Sequence, residues 1–517
     1  MLVRLRHLLD RGLGAGLAAG LAAALAMLAL RFAIGAPSLQ ELIVDKLLSF
    51  LPPRAFEFLL QRFYELGKPL AVLGVTLLLA LMGGLAGLAF GWGIGRAPGW
   101  ARRWWLMSGL LFGLGLWVLL SVALVPLLGG GLWGARVPGG AAGFSLASFI
   151  ATCGFGMVLA RLMRPAPEAL GPDAATPAGM TRRAFLGRAA FWIVAVGAVG
   201  FGVRALVSGA GRLAGSRVST RDAGILPSEV TPTERFYKVS KNFVDPEVDG
   251  TSWRLQVTGM VDRAMTLTLD ELRALPAVER YQTLECVSNP VGGDLIGNAA
   301  WKGVPLREIL ERAGLKPDVA RVTFRSADGY TESLPLDDAM RPEILIAYEM
   351  NGEPLRDDHG FPARVLIPDR YGMKGPKWLE EIGTTSDESY RGYWEGRGWD
   401  DRAEVKTTSQ ALVPADGTVV PVEASIIGGI AFSGAKGIAQ VEVSADGGKT
   451  WQKATLKPAL SPYTWVLWTA EWKPPAPGRY KLTVRAEDAS GVPQIFAPHG
   501  PAPSGATGYH TIDVEVA

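Results

Sequence analysis

QTLECVSNPVGG, residues 282–293, leaves a strand-like stretch and enters a glycine-rich turn. It holds Cys286, the only cysteine in the polar half of the chain. The other cysteine, Cys153, lies in an apolar run, so the two are not expected to pair in a disulfide. Taken alone, Cys286 could be a packing residue, a nucleophile or a metal ligand. Free cysteine is often simply a small buried apolar residue. A cysteine nucleophile needs a nearby base, usually histidine. The chain has His7, His359, His499 and His510, and none of the last three stands in a recognisable companion motif. A lone thiolate, with no other protein donors, suits a soft or high-valent metal held mainly by an organic cofactor.

The chain has 517 residues, too many for one ordinary core, and about two to four domains are expected. Hydrophobic residues make up 49% and charged residues 20%, but this average hides a split near residue 210. Before it, Leu, Ala, Gly, Val and Trp dominate; after it the sequence reads as an ordinary soluble protein. A net charge of +3, with no basic stripe interleaved with aromatics, gives no sign of nucleic-acid binding. Two cysteines exclude a disulfide scaffold and a cysteine-based zinc or iron–sulfur site.

Residues 1–210 are read as an α-helical membrane region in contact with lipid. Five apolar runs reach the length of about 20 residues that spans a bilayer. They are Leu13 to Ile34, Leu70 to Trp92, Trp104 to Leu128, Ala141 to Ala160 and Phe185 to Val207. Basic residues flank them in a pattern that sets orientation. Arg4, Arg6 and Arg11 come before the first, Arg96, Arg102 and Arg103 after the second, and Arg161, Arg164, Arg182 and Arg183 after the fourth. With the N-terminus inside, all these face the cytoplasm and residues 210–517 lie outside. In the loop from Ala36 to Pro69, LIVDKLLSFL is a candidate interfacial helix. TRRAFLGRAAFW, with Arg182 and Arg183 at its head, resembles a twin-arginine export signal over residues 181–188. The five runs contain no histidine, which excludes a bis-histidine haem between them.

Residues 211–240 read as a linker. WRLQVTGMV from Trp253 alternates as a strand does, and MTLTLDELRAL is a strand entering a short helix capped by Thr268 or Asp270. VPLREILERAGL is an amphipathic helix, and RVTFRSADGYTESLPL a hairpin turning at Asp328-Gly329. This predicts a mixed α+β domain over residues 241–402. From residue 403 short strands recur between turns: VEASIIGGIAFS, IAQVEVSADGGKTWQKATL, TWVLWTAEW, GRYKLTVRAEDASG and HTIDVEV. That is the pattern of an antiparallel, immunoglobulin-like β-sandwich of about 110 residues. SADGGKTW also fits a sialidase propeller turn, but it occurs once where a propeller repeats it, so it reads as a hairpin turn.

TLECVSNPVGG resembles the cysteine motif of the sulfite oxidase family, where T-L-x-C-x-x-N gives the single protein thiolate to a molybdenum–pterin centre. GNAAWKGVPLREIL looks like that family's next segment, and NGEPLRDDHGFPARVLIPDRYGMKGPKWLEEI like its pterin-binding segment. The strands from VEVSADGGKTWQKATL onward are similar to its C-terminal, dimer-forming domain. The resemblance spans residues 230–517 and leaves residues 1–210 uncovered. It implies a molybdenum–molybdopterin cofactor with Cys286 as the metal ligand. Asn242, Asn289, His359, Arg364, Lys374 and Lys377 fall at cofactor-binding positions. Arginine, lysine and backbone N–H groups suit the cofactor's dianionic phosphate.

Two departures bear on the substrate. Where the family has R-N-H, this chain has Lys241, Asn242 and Phe243; a cation is kept, but the bidentate geometry of arginine is lost. Where sulfite oxidases carry an arginine after the asparagine of the cysteine motif, Pro290 and Val291 stand. The family's catalytic tyrosine falls within SYRGYWEGRGW, where Tyr390, Tyr393 and Trp399 are candidates. Lys241, Tyr393 and Trp399 join Cys286 as the expected catalytic group. The expectation is therefore a membrane-tethered molybdenum oxidoreductase acting on a small sulfur or nitrogen oxide. Its electrons would pass to a cytochrome or a quinone-linked partner, and the sandwich would form a homodimer. The alternatives are a sulfoxide-type reductase and a cofactor-free binding protein.

Overall fold

Runs of Leu, Ala and Gly without charge satisfy their backbone groups internally, as helices, and the N-terminal sequence does so. The computed structural model describes residues 2–63, 67–96, 104–137, 140–164, 226–242, 245–423 and 425–517. Its contacts divide the chain into two units, Met1–Phe50 with Phe63–Ala214, and Leu51–Arg62 with Gly215–Ala517.

The helices before residue 165 are α1 (Leu2–Ile34), α2 (Leu39–Leu48), α3 (Pro53–Phe63), α4 (Gly67–Arg96), α5 (Trp105–Leu119) and α6 (Ala141–Met163). A π-helical turn, Leu120–Leu124, and a last short turn, Val125–Leu127, prolong α5. Among the described residues, four segments are long and apolar enough to cross a membrane: Arg11–Ile34, Gly67–Ile94, Trp105–Leu127 and Ala141–Met163. They correspond to the first four apolar runs. The fifth run and the Arg182–Arg183 motif lie outside the described residues.

Glycine lets the first unit's helices approach closely. A Cβ on Gly16 of α1 would run into the carbonyl oxygen of Gly83 on α4, and one on Gly87 into that of Gly12. Gly109 and Gly113 on α5 make the same approach to α6, where Gly156 answers Gly109. Small residues at such crossings let the two backbones pack directly against each other. The LIVDKLLSFL segment forms most of α2. Ser38 and Glu41 close a capping box at its start, and Ile43 is buried while Leu47 and Phe50 are exposed.

In the second unit, one sheet has the order β2-β1-β10-β5-β6. Its strands are β1 (Leu255–Gly259), β2 (Met265–Leu267), β5 (Arg321–Ser326), β6 (Thr331–Pro335) and β10 (Leu379–Thr385), with β1 and β10 parallel. A second sheet has the order β3-β4-β7-β8, with β9 against β7. These strands are β3 (Val278–Glu285), β4 (Ile296–Pro305), β7 (Leu345–Met350), β8 (Glu353–Pro354) and β9 (Arg364–Leu366). Helix α7 (Leu269–Arg273) is capped by Thr268, whose hydroxyl accepts from Glu271 N, which settles the choice between Thr268 and Asp270. Helix α8 (Leu306–Ala313) buries Leu306, Ile309, Leu310 and Ala313, the face its sequence period predicts. Each of the large aliphatic chains stabilises the fold by about 1.5–3 kcal/mol.

After residue 403, β11 (Thr408–Val413), β13 (Ser425–Phe432), β16 (Thr455–Leu456) and β17 (Val466–Trp472) form one sheet. The other contains β12 (Val419–Val420), β14 (Ile438–Ser444), β15 (Gln452–Lys453), β18 (Gly478–Asp488) and β19 (His510–Val516). Ile427 and Trp468 from the first face Val441, Leu482 and Val514 from the second in one core. Strands β11 and β12 were not expected from sequence. Asp446 accepts from the N–H groups of Lys449 and Thr450, so SADGGKTW is a hairpin turn.

Two features join the segments after residue 225. Val287, Tyr371, Met373 and Trp399 share a core with Ile430, Phe432 and Trp465. Residues 226–240, expected as a linker, form an ordered strap. Thr231 N donates to Asn298 O (2.7 Å), Asn351 Nδ2 to Thr231 O (3.0 Å) and Trp465 Nε1 to Glu229 O (3.1 Å).

Candidate active site

Cys286 follows the last residue of β3. Its N–H donates to Leu295 O (2.9 Å), which extends the β3–β4 ladder by one step. Its carbonyl accepts from Asn289 N (2.9 Å), which closes the turn. Asn289 then fastens the loop with both ends of its amide. Nδ2 donates to Glu285 Oε1 (2.8 Å), and Oδ1 accepts from Leu295 N (3.0 Å). Gly292 has a φ of +75°, and a Cβ there would run into the imidazole of His510. The structure thus uses the Asn289 amide to fix the cysteine turn.

The Cys286 side chain is buried, and burial pushes its thiol up to about 11 against weaker opposing hydrogen bonds from Ser288. A thiol held neutral in this way is a poor nucleophile and becomes a strong ligand only beside a concentrated positive charge. The two buried or half-buried rings each bond the main chain. His359 Nε2 lies 2.9 Å from Thr233 O, and His510 Nδ1 accepts from Ala411 N (3.1 Å). The metal-ligand reading fits this environment better than the nucleophile reading.

The D-H-G-F-P-A-R segment supplies a buried arginine and a buried histidine, and the part-buried Lys377 lies against its Gly360. Arg364, on β9, donates from Nη1 to His359 O (3.2 Å), and its Nε has no partner among the described residues. Its guanidinium lies 5.3 Å from the Trp301 ring, and burial lowers its pKa to about 10. Lys377 donates to Asp358 O (3.0 Å), and burial lowers its pKa as well, with the Asp245 carboxylate opposing. His359 is buried, and burial lowers it to about 4 against the pull of Asp358. Among the described residues, neither Arg364 nor Lys377 has a carboxylate within the 4.0 Å of an ion pair. A buried guanidinium without an ion-pair partner is costly unless an anion completes it. A pterin carrying a dianionic phosphate fits this donor set.

The turn at Tyr371–Gly375 lies between these groups and the cysteine strand. A Cβ on Gly372 would come 2.9 Å from the Tyr237 hydroxyl and 3.5 Å from Glu285 O. Tyr371 is buried, and burial and the Glu285 carboxylate raise its phenol pKa. Neither Tyr237 nor Tyr371 was singled out from sequence. Each lay beside a motif, and no local pattern marked it.

Lys241, Asn242 and Tyr393 come together. Lys241 Nζ donates to Asp328 O (2.9 Å) and to Asn242 Oδ1 (3.0 Å), and it lies 5.2 Å from the Tyr393 ring. Asn242 Nδ2 donates to Asp328 Oδ2 (2.9 Å). The Arg397 guanidinium lies 3.5 Å from the same tyrosine ring. Trp399 is placed differently: it is 6% exposed and packs into the core shared with the C-terminal sheets.

Lys374 also has other partners than those expected. Its ammonium lies 2.6 Å from Glu332 Oε1 and bonds Glu395 Oε1, and all three side chains are buried. Two carboxylates already satisfy this cation, so its position answers to them rather than to a phosphate. Sequence gave no sign of Glu332 or Glu395, because TESLPL and YWEGRGW read as a strand and a loop.

Residues 242–394 match the model of the oxidoreductase molybdopterin-binding domain, and residues 401–495 that of the Mo-co oxidoreductase dimerisation domain. Mitochondrial sulfite oxidase of Rattus norvegicus is 35% identical over 297 residues, 48% of this chain and 54% of that protein. Sulfite oxidase of Gallus gallus is 32% identical over 309 residues, 50% of this chain and 67% of that protein. The uncharacterized oxidoreductase YuiH of Bacillus subtilis is 36% identical over 182 residues, 35% of this chain and 89% of that protein. The chain thus spans about half the length of the rat protein, and residues 1–210 lie outside both family models.

Proposed function

From the premise that this chain belongs to the sulfite oxidase family of molybdopterin oxidoreductases, we propose that it is a membrane-anchored member with its active domain on the outer face. The molybdenum cofactor supplies the two-electron chemistry when bound. The observation that carries the reading is one buried thiol on a turn fixed by Asn289, in the same domain as a buried guanidinium, Arg364, that has no carboxylate in ion-pair range among the described residues.

Each residue then has a task. Cys286 gives its thiolate to the metal. Arg364, Lys377 and His359 hold the anionic end of the pterin. Lys241, Asn242 and Tyr393 face the substrate, a small sulfur or nitrogen oxide or its reduced form. Pro290 and Val291 replace one gripping arginine and Lys241 another, which favours a substrate other than sulfite. Four apolar helices support the anchor, and the basic flanks support an outer active domain. The C-terminal sheets, immunoglobulin-like in this reading, would form the homodimer, and a cytochrome or quinone-linked partner would take the electrons.

The test is elemental analysis of the purified full chain beside Cys286→Ser. About one molybdenum per chain, with a ligand spectrum that changes in the variant, is the expected result. A wild type without molybdenum, from a host that makes the cofactor, would overturn the reading.

A further inference from the structure

The Lys374 cluster holds more negative groups than a structural ion pair needs. Glu332 and Glu395 both contact the Lys374 ammonium, and Asp401 Oδ1 lies 3.8 Å from it. Arg321 is the second cation, 3.1 Å from Asp401. Three carboxyl groups therefore face two cations. Glu332 has no exposure and the Glu395 side chain 1%, whereas that of Asp401 is 40% exposed. An unbalanced buried charge costs several kcal/mol, so this arrangement calls for one proton held among the carboxyl groups. Burial also pushes Glu332 up, with Lys374 opposing.

Backbone groups hold the two acids in place. Ser333 N donates to Glu332 Oε1 (2.8 Å), and Gly392 N to Glu395 Oε2 (2.7 Å). The inner end leads toward the candidate substrate residues. The Tyr330 hydroxyl lies 3.4 Å from Glu332 Oε2, and its ring is 5.7 Å from that of Tyr393. Tyr330 also donates to Met373 O (2.6 Å), on the turn that packs beside the cysteine strand. Tyr390 also faces the two acids, and Asp328 faces Tyr330. The outer end is Asp401, which is partly exposed.

We propose that Glu332, Glu395 and Lys374 form the proton exit of the active site, from Tyr330 on the inside to Asp401 at the surface. The inference rests on the oxidoreductase reading above. A two-electron oxidation that takes its oxygen from water releases two protons, while the two electrons leave to a one- or two-electron acceptor. Each proton forms a new O–H bond at the Tyr330 oxygen from the active-site side, while the hydroxyl's own O–H bond breaks and one forms at Glu332 Oε2. Lys374 gives one ammonium proton to Asp401 Oδ1, which passes it to solvent, and the neutral amine that is left takes the shared proton and becomes an ammonium again.

The experiment compares the full chain, loaded with cofactor, with E395Q, E332Q and D401N. Glutamine keeps the size, gives up one acceptor for an N–H2 donor and cannot carry the proton. The expected result is wild-type molybdenum content with turnover lower by about tenfold or more, a larger solvent isotope effect and a displaced pH profile. In the redox infrared difference spectrum, a carboxylic-acid band present in the wild type is lost in E332Q or E395Q. D401N lies at the surface and tests the path even if a buried variant does not fold. Wild-type turnover, isotope effect and pH profile in D401N, or no carboxylic-acid band in the wild type, would overturn the proposal. A wild type without molybdenum would instead overturn the oxidoreductase reading.

Discussion

Arg364 donates from Nη1 to the backbone carbonyl of His359 across 3.2 Å, while its Nε meets no partner among the described residues. The guanidinium is thus aimed by the D-H-G-F-P-A-R turn but not neutralised by it. That separates holding the fold from holding a ligand, and the two can be measured apart.

Arg364→Met should leave the cofactor-free protein folded, because no ion pair is lost. Loss of one partner of a buried charge pair costs about 2–5 kcal/mol, so cofactor retention should fall by thirtyfold or more. Molybdenum content after dialysis, with a melting curve of the cofactor-free protein, reads both. A large drop in melting temperature with full retention would make Arg364 a structural residue.

His359 gives the cofactor-free protein a pH dependence. Its pKa falls from 6.5 to about 4 on folding because burial disfavours the imidazolium. Between these values the unfolded chain binds more protons, so stability falls as pH drops from about 6.5 to about 4. At about 1.4 kcal/mol per pH unit, the upper limit is about 3.5 kcal/mol. Denaturant titrations at both ends of the window should show the loss, and His359→Gln should remove it. Equal slopes in the two proteins would assign the pH dependence elsewhere.

Asn289→Leu should loosen the cysteine turn. It strips one bond from Glu285 and one from Leu295 N, and each unsatisfied group costs about 1–3 kcal/mol. We expect a lower melting temperature and weaker molybdenum retention together, and Asn289→Asp should restore only the bond from Leu295 N. Unchanged retention in the leucine variant would show that the β3–β4 ladder alone fixes Cys286.

Gly16→Leu should part α1 from α4, because even a Cβ meets the Gly83 carbonyl. Overpacking of this kind costs about 1–3 kcal/mol or more. Gly14 has open space around its would-be Cβ, so Gly14→Leu is the control and should be neutral. Thermal aggregation of the detergent-purified chain would rank the two, and equal behaviour would deny the close crossing.

The sequence by itself determined what is local or carried by a motif. Bilayer-length apolar runs made the four long helices, because an apolar run must satisfy its backbone within itself. Alternation and turn residues made the β5–β6 hairpin at Asp328-Gly329, and the period of α8 chose its buried face. Cys286 was legible through its motif, since a thiolate without other protein donors suits few roles. The tertiary structure alone decided which partners each side chain meets. Lys374 looked like a phosphate ligand until the fold brought Glu332 and Glu395 onto it. Glu332 was hidden because Glu332, Ser333 and Leu334 are buried in succession, which breaks the alternation that a strand's sequence shows. Residues 226–240 looked like a linker because their bonds go to Asn298, Asn351 and Trp465, far along the chain. Periodicity records the face a residue presents. The group that meets it there comes from distant sequence, and only the folded chain brings the two together.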